Sequence, residues 1–186
     1  FTTLSESMSP QESFNFINGY LGRVGPIIRK HSGFIDKYIG DAIMALFPDE
    51  PEDAVKAAIE MQREIFLYNA TMIESGRIPI SVGIGMHTGR LILGTVGEAE
   101  RMDSTVISDA VNTAARLEGL TKQFGANIII SDSTRAMIKN QDYYQMRFLG
   151  KIIVKGKKEP VSIHEIIDGL DASTIARRMR TRKAFE

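Results

Sequence analysis

Asp41 follows Gly40 between two apolar runs, Phe34 to Ile39 and Ala42 to Phe47, at the tip of the turn they imply. A carboxylate set among apolar strands loses hydration, and a hard divalent cation compensates through oxygen ligands. The competing account is a turn aspartate that bonds its own backbone. Lys37 lies between Ile35 and Ile39 on the preceding run, either as an edge gatekeeper or as a cation aimed into a polar cleft. Asn112 and Arg116 stand four apart and so share one helix face. An amide beside a guanidinium fork suits an anionic phosphoryl group. A solvated face with Arg116 paired to Glu118 or Glu100 explains the same pattern. Lys155-Gly156-Lys157-Lys158 offers donors to phosphate, with Lys157 and Lys158 read as ordinary surface. His87 and His164 read as structural histidines, and the nine Met as core filler.

Several elements must position these residues. Ser9-Pro10 with Glu12 predicts a capped helix start, and Phe14, Ile17, Leu21, Val24 and Ile28 carry the apolar stripe to Lys30. Gly22, Gly25 and Pro26 predict a kink or break in its second half. Phe34 to Phe47 reads as a hairpin turning at Gly40-Asp41, its second arm buried on both faces. Pro51 opens a long amphipathic helix. A second strand pair is expected over Ser81–His87 and Leu91–Val96, turning at Thr88-Gly89. Gly83 and Gly85 leave one face of it bare for close packing. Ser108-Asp109 caps a helix to about Lys122. Asn127–Ile130 is a short strand, Ser131-Asp132 caps a helix to Lys139, and Phe148–Val154 with Val161–Ile167 closes the fold. The last residues, Arg177 to Lys183 among them, form a basic tail, either solvated or a short helix that reaches a partner.

Composition narrows the classes. The 186 residues hold 23 Lys+Arg against 23 Asp+Glu and no Cys. Disulfides, thiolate zinc sites and a cysteine nucleophile are excluded. Zero net charge removes the bulk electrostatic case for nucleic acid. With only His31, His87 and His164, histidine-rich metal sites are not expected. No apolar run approaches the roughly 20 residues of a membrane span, and no signal-peptide pattern opens the sequence. A single soluble α/β or α+β domain with a mixed sheet is the expectation, cytoplasmic either by itself or as the cytoplasmic domain of a larger sensor or membrane protein.

Three segments in order, Phe34-Ile35-Asp36-Lys37-Tyr38-Ile39-Gly40-Asp41-Ala42, Gly83 to Gly89 and Asp109 to Glu118, closely resemble the class III nucleotidyl cyclase catalytic domain. Phe1 to Ser5 and Val154-Lys155-Gly156 fit the same family at its two ends. Several long motifs in order are far more specific than one short pattern. The resemblance implies an α+β, ferredoxin-like sheet related to the polymerase palm over residues 1–168, with 169–186 as the basic tail. It implies a head-to-tail homodimer and conversion of a nucleoside triphosphate to its 3′,5′-cyclic monophosphate and pyrophosphate. Two Mg2+ (or Mn2+) would activate the 3′-hydroxyl and neutralise the triphosphate.

By the same resemblance Asp41 is a metal ligand, and Phe1 and Thr2 hold phosphates through backbone and hydroxyl. Asn112 orients the ribose, Arg116 stabilises charge on the transferring phosphoryl group, and Lys155 meets the terminal phosphates. Lys37 and Thr105 fall on the two purine-selecting positions. Lysine can donate to adenine N1 and threonine can accept from the 6-amino group. Guanylyl cyclases carry Glu where Lys37 stands, so ATP is the expected substrate. GTP is the alternative substrate, and a degenerate, dimerising nucleotide-sensing module is the alternative to an enzyme. The family's other metal aspartate lies four residues before the position of Phe1, so a longer parent polypeptide carrying it and the first strand is expected. Thr105 replaces the aspartate of mammalian-type cyclases. The Lys/Thr pair resembles a bacterial subgroup stimulated by bicarbonate or CO2, and that response is expected here. Ser108 stands where many members have Gly, with a mild effect expected.

Overall fold

The computed structural model describes residues 8–98, 101–153 and 159–181, with residues 101–105 and 107 described through their backbone. The chain forms two compact units, one ending at Val82 and one beginning at Gly83.

The first unit opens with α1, Pro10–Lys30. Ser9 Oγ accepts the Glu12 N–H at 3.3 Å while the Glu12 carboxylate accepts the Ser9 N–H at 2.8 Å, a reciprocal cap. Of the kink or break expected at Gly22, Gly25 and Pro26, the break does not occur; one α-helix runs through all three. Tyr20, Val24, Ile27 and Ile28 are buried along the same stretch, so tertiary packing offsets the hydrogen bond that Pro26 removes.

Strands β1, Phe34–Ile39, and β2, Ala42–Leu46, pair antiparallel as expected. Gly40 takes φ +62° in the turn, a conformation that glycine adopts without a Cβ penalty. The expected double-sided burial of β2 is wrong: Ala42 is exposed and Ile43 to Leu46 are half-buried. Among the described residues this sheet has two strands and no third to cover it. Helix α2, Pro51–Glu74, buries Val55, Ala58, Met61 and Ile65. Glu60 joins it to α1 by accepting from Lys30 Nζ at 2.8 Å and by pairing with His31 Nε2 at 2.8 Å.

The second unit is built on a mixed sheet of order β3-β6-β8-β7. Here β3 is Ile84–Met86, β6 is Ile128–Ser131, β7 is Met146–Ile152 and β8 is Val161–Ile166. The β3–β6 pair is parallel; β6–β8 and β7–β8 are antiparallel. Ile128, Ile129, Ile130, Ile163 and Ile166 are fully buried, which is the closed core that short β-branched runs favour. The second expected hairpin is a misreading. Strand β4, Ile92–Glu98, pairs with β5, Arg101–Ile107, in a separate two-stranded sheet. The polar residues Arg101, Asp103 and Ser104 hid β5, and β3 pairs instead with a strand more than forty residues away, which local pattern cannot reveal.

Helix α3, Asp109–Phe124, begins where Ser108 Oγ accepts the Ala110 N–H at 2.9 Å and donates to Arg90 C=O at 2.7 Å. Ser108 sits at φ −166°, extended backbone open to any residue, so it fills the family's glycine position without strain. Helix α4, Asp132–Met137, follows at its expected Ser131 cap but stops two residues short of Lys139. The basic tail contains α5, Ala172–Thr181.

Candidate functional site

Asn112 and Arg116 are both exposed on α3, while Thr113, Leu117 and Thr121 are buried on its other side. The glycines expected to leave a bare face explain why α3 lies where it does. A Cβ at Gly85 would stand 2.8 Å from Glu118 Cα, with Ala114 C=O and Glu118 N–H nearer still. Only glycine lets the strand approach the helix backbone this closely. The approach pins the middle of α3, and its outward face is therefore fixed in direction. Arg116 forms no ion pair with another described residue, so the alternative pairing to Glu118 is not made; Glu100 lies outside the described residues. With Gly119, Leu120, Ile152 and Ile153, Arg116 lines a cavity of about 200 Å3. Lys155, like Phe1 and Thr2, lies outside the described residues. Thr105 sits on β5 with its backbone in register opposite Gly94.

The other two candidates share the β1–β2 hairpin. Asp41 occupies the turn and is exposed, which corrects the expectation of a desolvated carboxylate. Its charge still reaches inward. The Tyr20 hydroxyl is pushed up to about 12, first by burial and second by the negative charge of Asp41. Asp41 presents one hard oxygen donor of the kind that a divalent ion takes. Among the described residues no group of three or more His, Cys, Asp or Glu forms a closed metal cage.

Lys37 is not in a regular strand. The register passes from Ile35↔Ala45 to Lys37↔Met44, so Asp36 is an extra residue in a β-bulge. Asp36 Oδ2 lies 3.5 Å from Lys37 Nζ, with side chains 7% and 39% exposed. Simple alternation places Lys37 on one face with Ile35 and Ile39; the bulge breaks that alternation.

Two further features had no sequence signal strong enough to find them. Glu165 on β8 is fully buried and paired with both Arg147 of β7 and Arg178 of α5. Burial holds the Arg147 guanidinium below its ordinary range, and Arg178 is lowered by burial and then by Arg147. Arg178 Nη2 also donates to Gly125 C=O at 2.6 Å, so part of the basic tail turns inward rather than into solvent. The histidines match their structural reading. His87 Nδ1 meets Ser131 Oγ at 2.8 Å and His164 Nε2 meets Asp132 Oδ1 at 3.1 Å.

Comparison with known proteins adds the family context. Residues 1–167 match the model of the adenylate and guanylate cyclase catalytic domain. An adenylate cyclase of Anabaena cylindrica is 49% identical over 172 residues, covering 89% of this chain and 34% of the relative. A terminal-differentiation-specific adenylate cyclase of Dictyostelium discoideum is 39% identical over 175 residues, covering 91% of this chain and 8% of the relative. The chain thus spans 34% and 8% of the length of these two curated relatives. The crystal structure of the adenylyl cyclase CyaB from P. aeruginosa superposes with a TM-score of 0.77 at 30% identity, covering 90% of this chain and 88% of that one.

Proposed function

The chain belongs to the adenylate and guanylate cyclase catalytic domain family, and from that premise we propose that it is the catalytic domain of an adenylyl cyclase. The reaction joins the ATP 3′-oxygen to the α-phosphorus and releases pyrophosphate, leaving 3′,5′-cyclic AMP. The exposed Asn112–Arg116 pair on one face of α3, with Arg116 lining a small cavity, is the observation that carries this reading. Arg116 offers a planar fork to the phosphoryl oxygens as charge moves onto them, and Asn112 holds the ribose through an amide. Phe1, Thr2 and Lys155 complete the phosphate contacts. Lys37 donates to adenine N1 and Thr105 accepts from the 6-amino group.

Divalent metal, two Mg2+ or Mn2+, supplies charge compensation at the triphosphate when bound, and Asp41 is the described residue that would hold it. The working unit is a homodimer, in which Asp41 of one copy serves the purine-binding and phosphate-binding residues of the other. Exposed apolar residues on the β4–β5 pair, Ile92, Leu93 and Val96, support self-association. Bicarbonate is the proposed activator, on the Lys37/Thr105 pairing. Among the described residues no helix is long and apolar enough to cross a membrane, which is consistent with a cytoplasmic position for this domain.

The family includes guanylate cyclases, so purine choice is the test. Guanine presents N1–H and O6 and asks for an acceptor where Lys37 stands. In the full natural polypeptide, Lys37→Glu is expected to lower the ratio of ATP to GTP turnover (as kcat/KM) by about 100-fold, the scale of losing one charged donor and gaining a mismatch. An unchanged ratio removes Lys37 from purine selection; GTP preference in the unmodified protein makes it a guanylyl cyclase.

A further inference from the structure

Asp36 has no role in the chemistry assigned above, yet its surroundings are unusual. Its side chain is 7% exposed, and the Oδ2 atom is buried with no hydrogen-bond partner among the described residues. A buried carboxylate oxygen without partners is costly. The charged group beside it is the ammonium of Lys37, 3.5 Å away. In a regular strand, neighbouring side chains point to opposite faces and could not meet. Here the bulge that makes Asp36 the extra residue turns it and Lys37 together.

We propose that Asp36 is a positioning residue for purine recognition, holding the Lys37 ammonium by charge so that its N–H donors face the base. The inference rests on the reading of Lys37 as the purine donor. A free lysine side chain spreads over many rotamers, and ordering it on the ligand costs affinity. The tether at Asp36 removes part of that cost before ATP arrives. The contact is an ion pair at 3.5 Å and not a hydrogen bond, so the ammonium keeps its donors for N1 while its position is held by charge. GTP, whose N1–H cannot accept, gains nothing from the tether, and Asp36 therefore acts on selectivity as well as on affinity.

The test compares unmodified protein, Asp36→Asn, Lys37→Ala and the double variant in the full natural polypeptide, with KM and kcat for ATP and GTP and a melting curve for each. Asp36→Asn should raise KM for ATP about 3- to 10-fold, the scale of immobilising one flexible side chain, with kcat within about twofold. The ATP:GTP ratio of kcat/KM should fall by the same factor, and in the Lys37→Ala background the change should have no further effect. Should asparagine prevent folding, Asp36→Ser, smaller than the native side chain, gives the same readout. An unchanged ratio, or an equal loss of kcat with both triphosphates, overturns the proposal while leaving Lys37 in place. If Lys37→Ala itself leaves the ratio unchanged, the reading of Lys37 fails and this inference with it.

Discussion

Replacing Arg116 with alanine is expected to lower the rate of cyclic AMP formation about 100- to 1,000-fold with little change in KM for ATP. That is the scale for removing one preorganised donor from charge that develops in a transition state. The reasoning is local. Arg116 stands on the exposed face of α3, carries no ion pair to another described residue, and opens onto a cavity of about 200 Å3. Among the described residues no hydrogen bond or ion pair depends on its side chain, so the variant should melt within about 0.5 kcal/mol of the unmodified protein. Arg116→Lys keeps the charge but loses the planar fork, and its rate should fall between the two. A kcat within threefold of the original for Arg116→Ala would take the residue out of the chemistry. Steady-state kinetics beside a thermal melt separates the outcomes.

The largest stability effect belongs to Glu165. Its carboxylate is fully buried between Arg147 and Arg178. Glu165→Ala leaves two guanidinium groups without their shared counter-charge, and breaking a buried pair from one side costs about 3–5 kcal/mol. For a chain of this length the melting temperature should drop roughly 10 °C. Replacing all three, Arg147→Met, Glu165→Leu and Arg178→Leu, removes the desolvated charges together and should restore most of the loss. Helix α5 would then lose its Arg178 contact to Gly125, so some deficit should persist. A melt unchanged by Glu165→Ala would mean that the cluster contributes nothing net.

Both predictions depend on features that were unequally legible in the amino-acid sequence. The caps at Ser9, Ser108 and Ser131, the Gly40-Asp41 turn and the Asn112–Arg116 face could be read directly, because each is a local rule acting over four residues or fewer. Gly83 and Gly85 could be read as a packing face, though not as the seat of α3. Long-range pairing was not legible. The parallel contact of β3 with β6 joins Ile84 to Ile128, and the expected neighbour, β4, pairs elsewhere. The continuity of α1 through Pro26 was lost for a different reason, since burial of Val24 and Ile28 overrides propensity. The β-bulge at Asp36 leaves no trace in an alternating pattern, which is why the partner of Lys37 emerged only from the register.

One measurement reaches the centre of the account. The full natural polypeptide, purified and supplied with Mg·ATP or Mn·ATP, should release 3′,5′-cyclic AMP and pyrophosphate in equal amounts, with Asp41→Asn abolishing both. Absence of cyclic AMP at every protein concentration, with Asp41 intact and the dimer formed, would contradict it and leave a nucleotide-binding module in place of an enzyme.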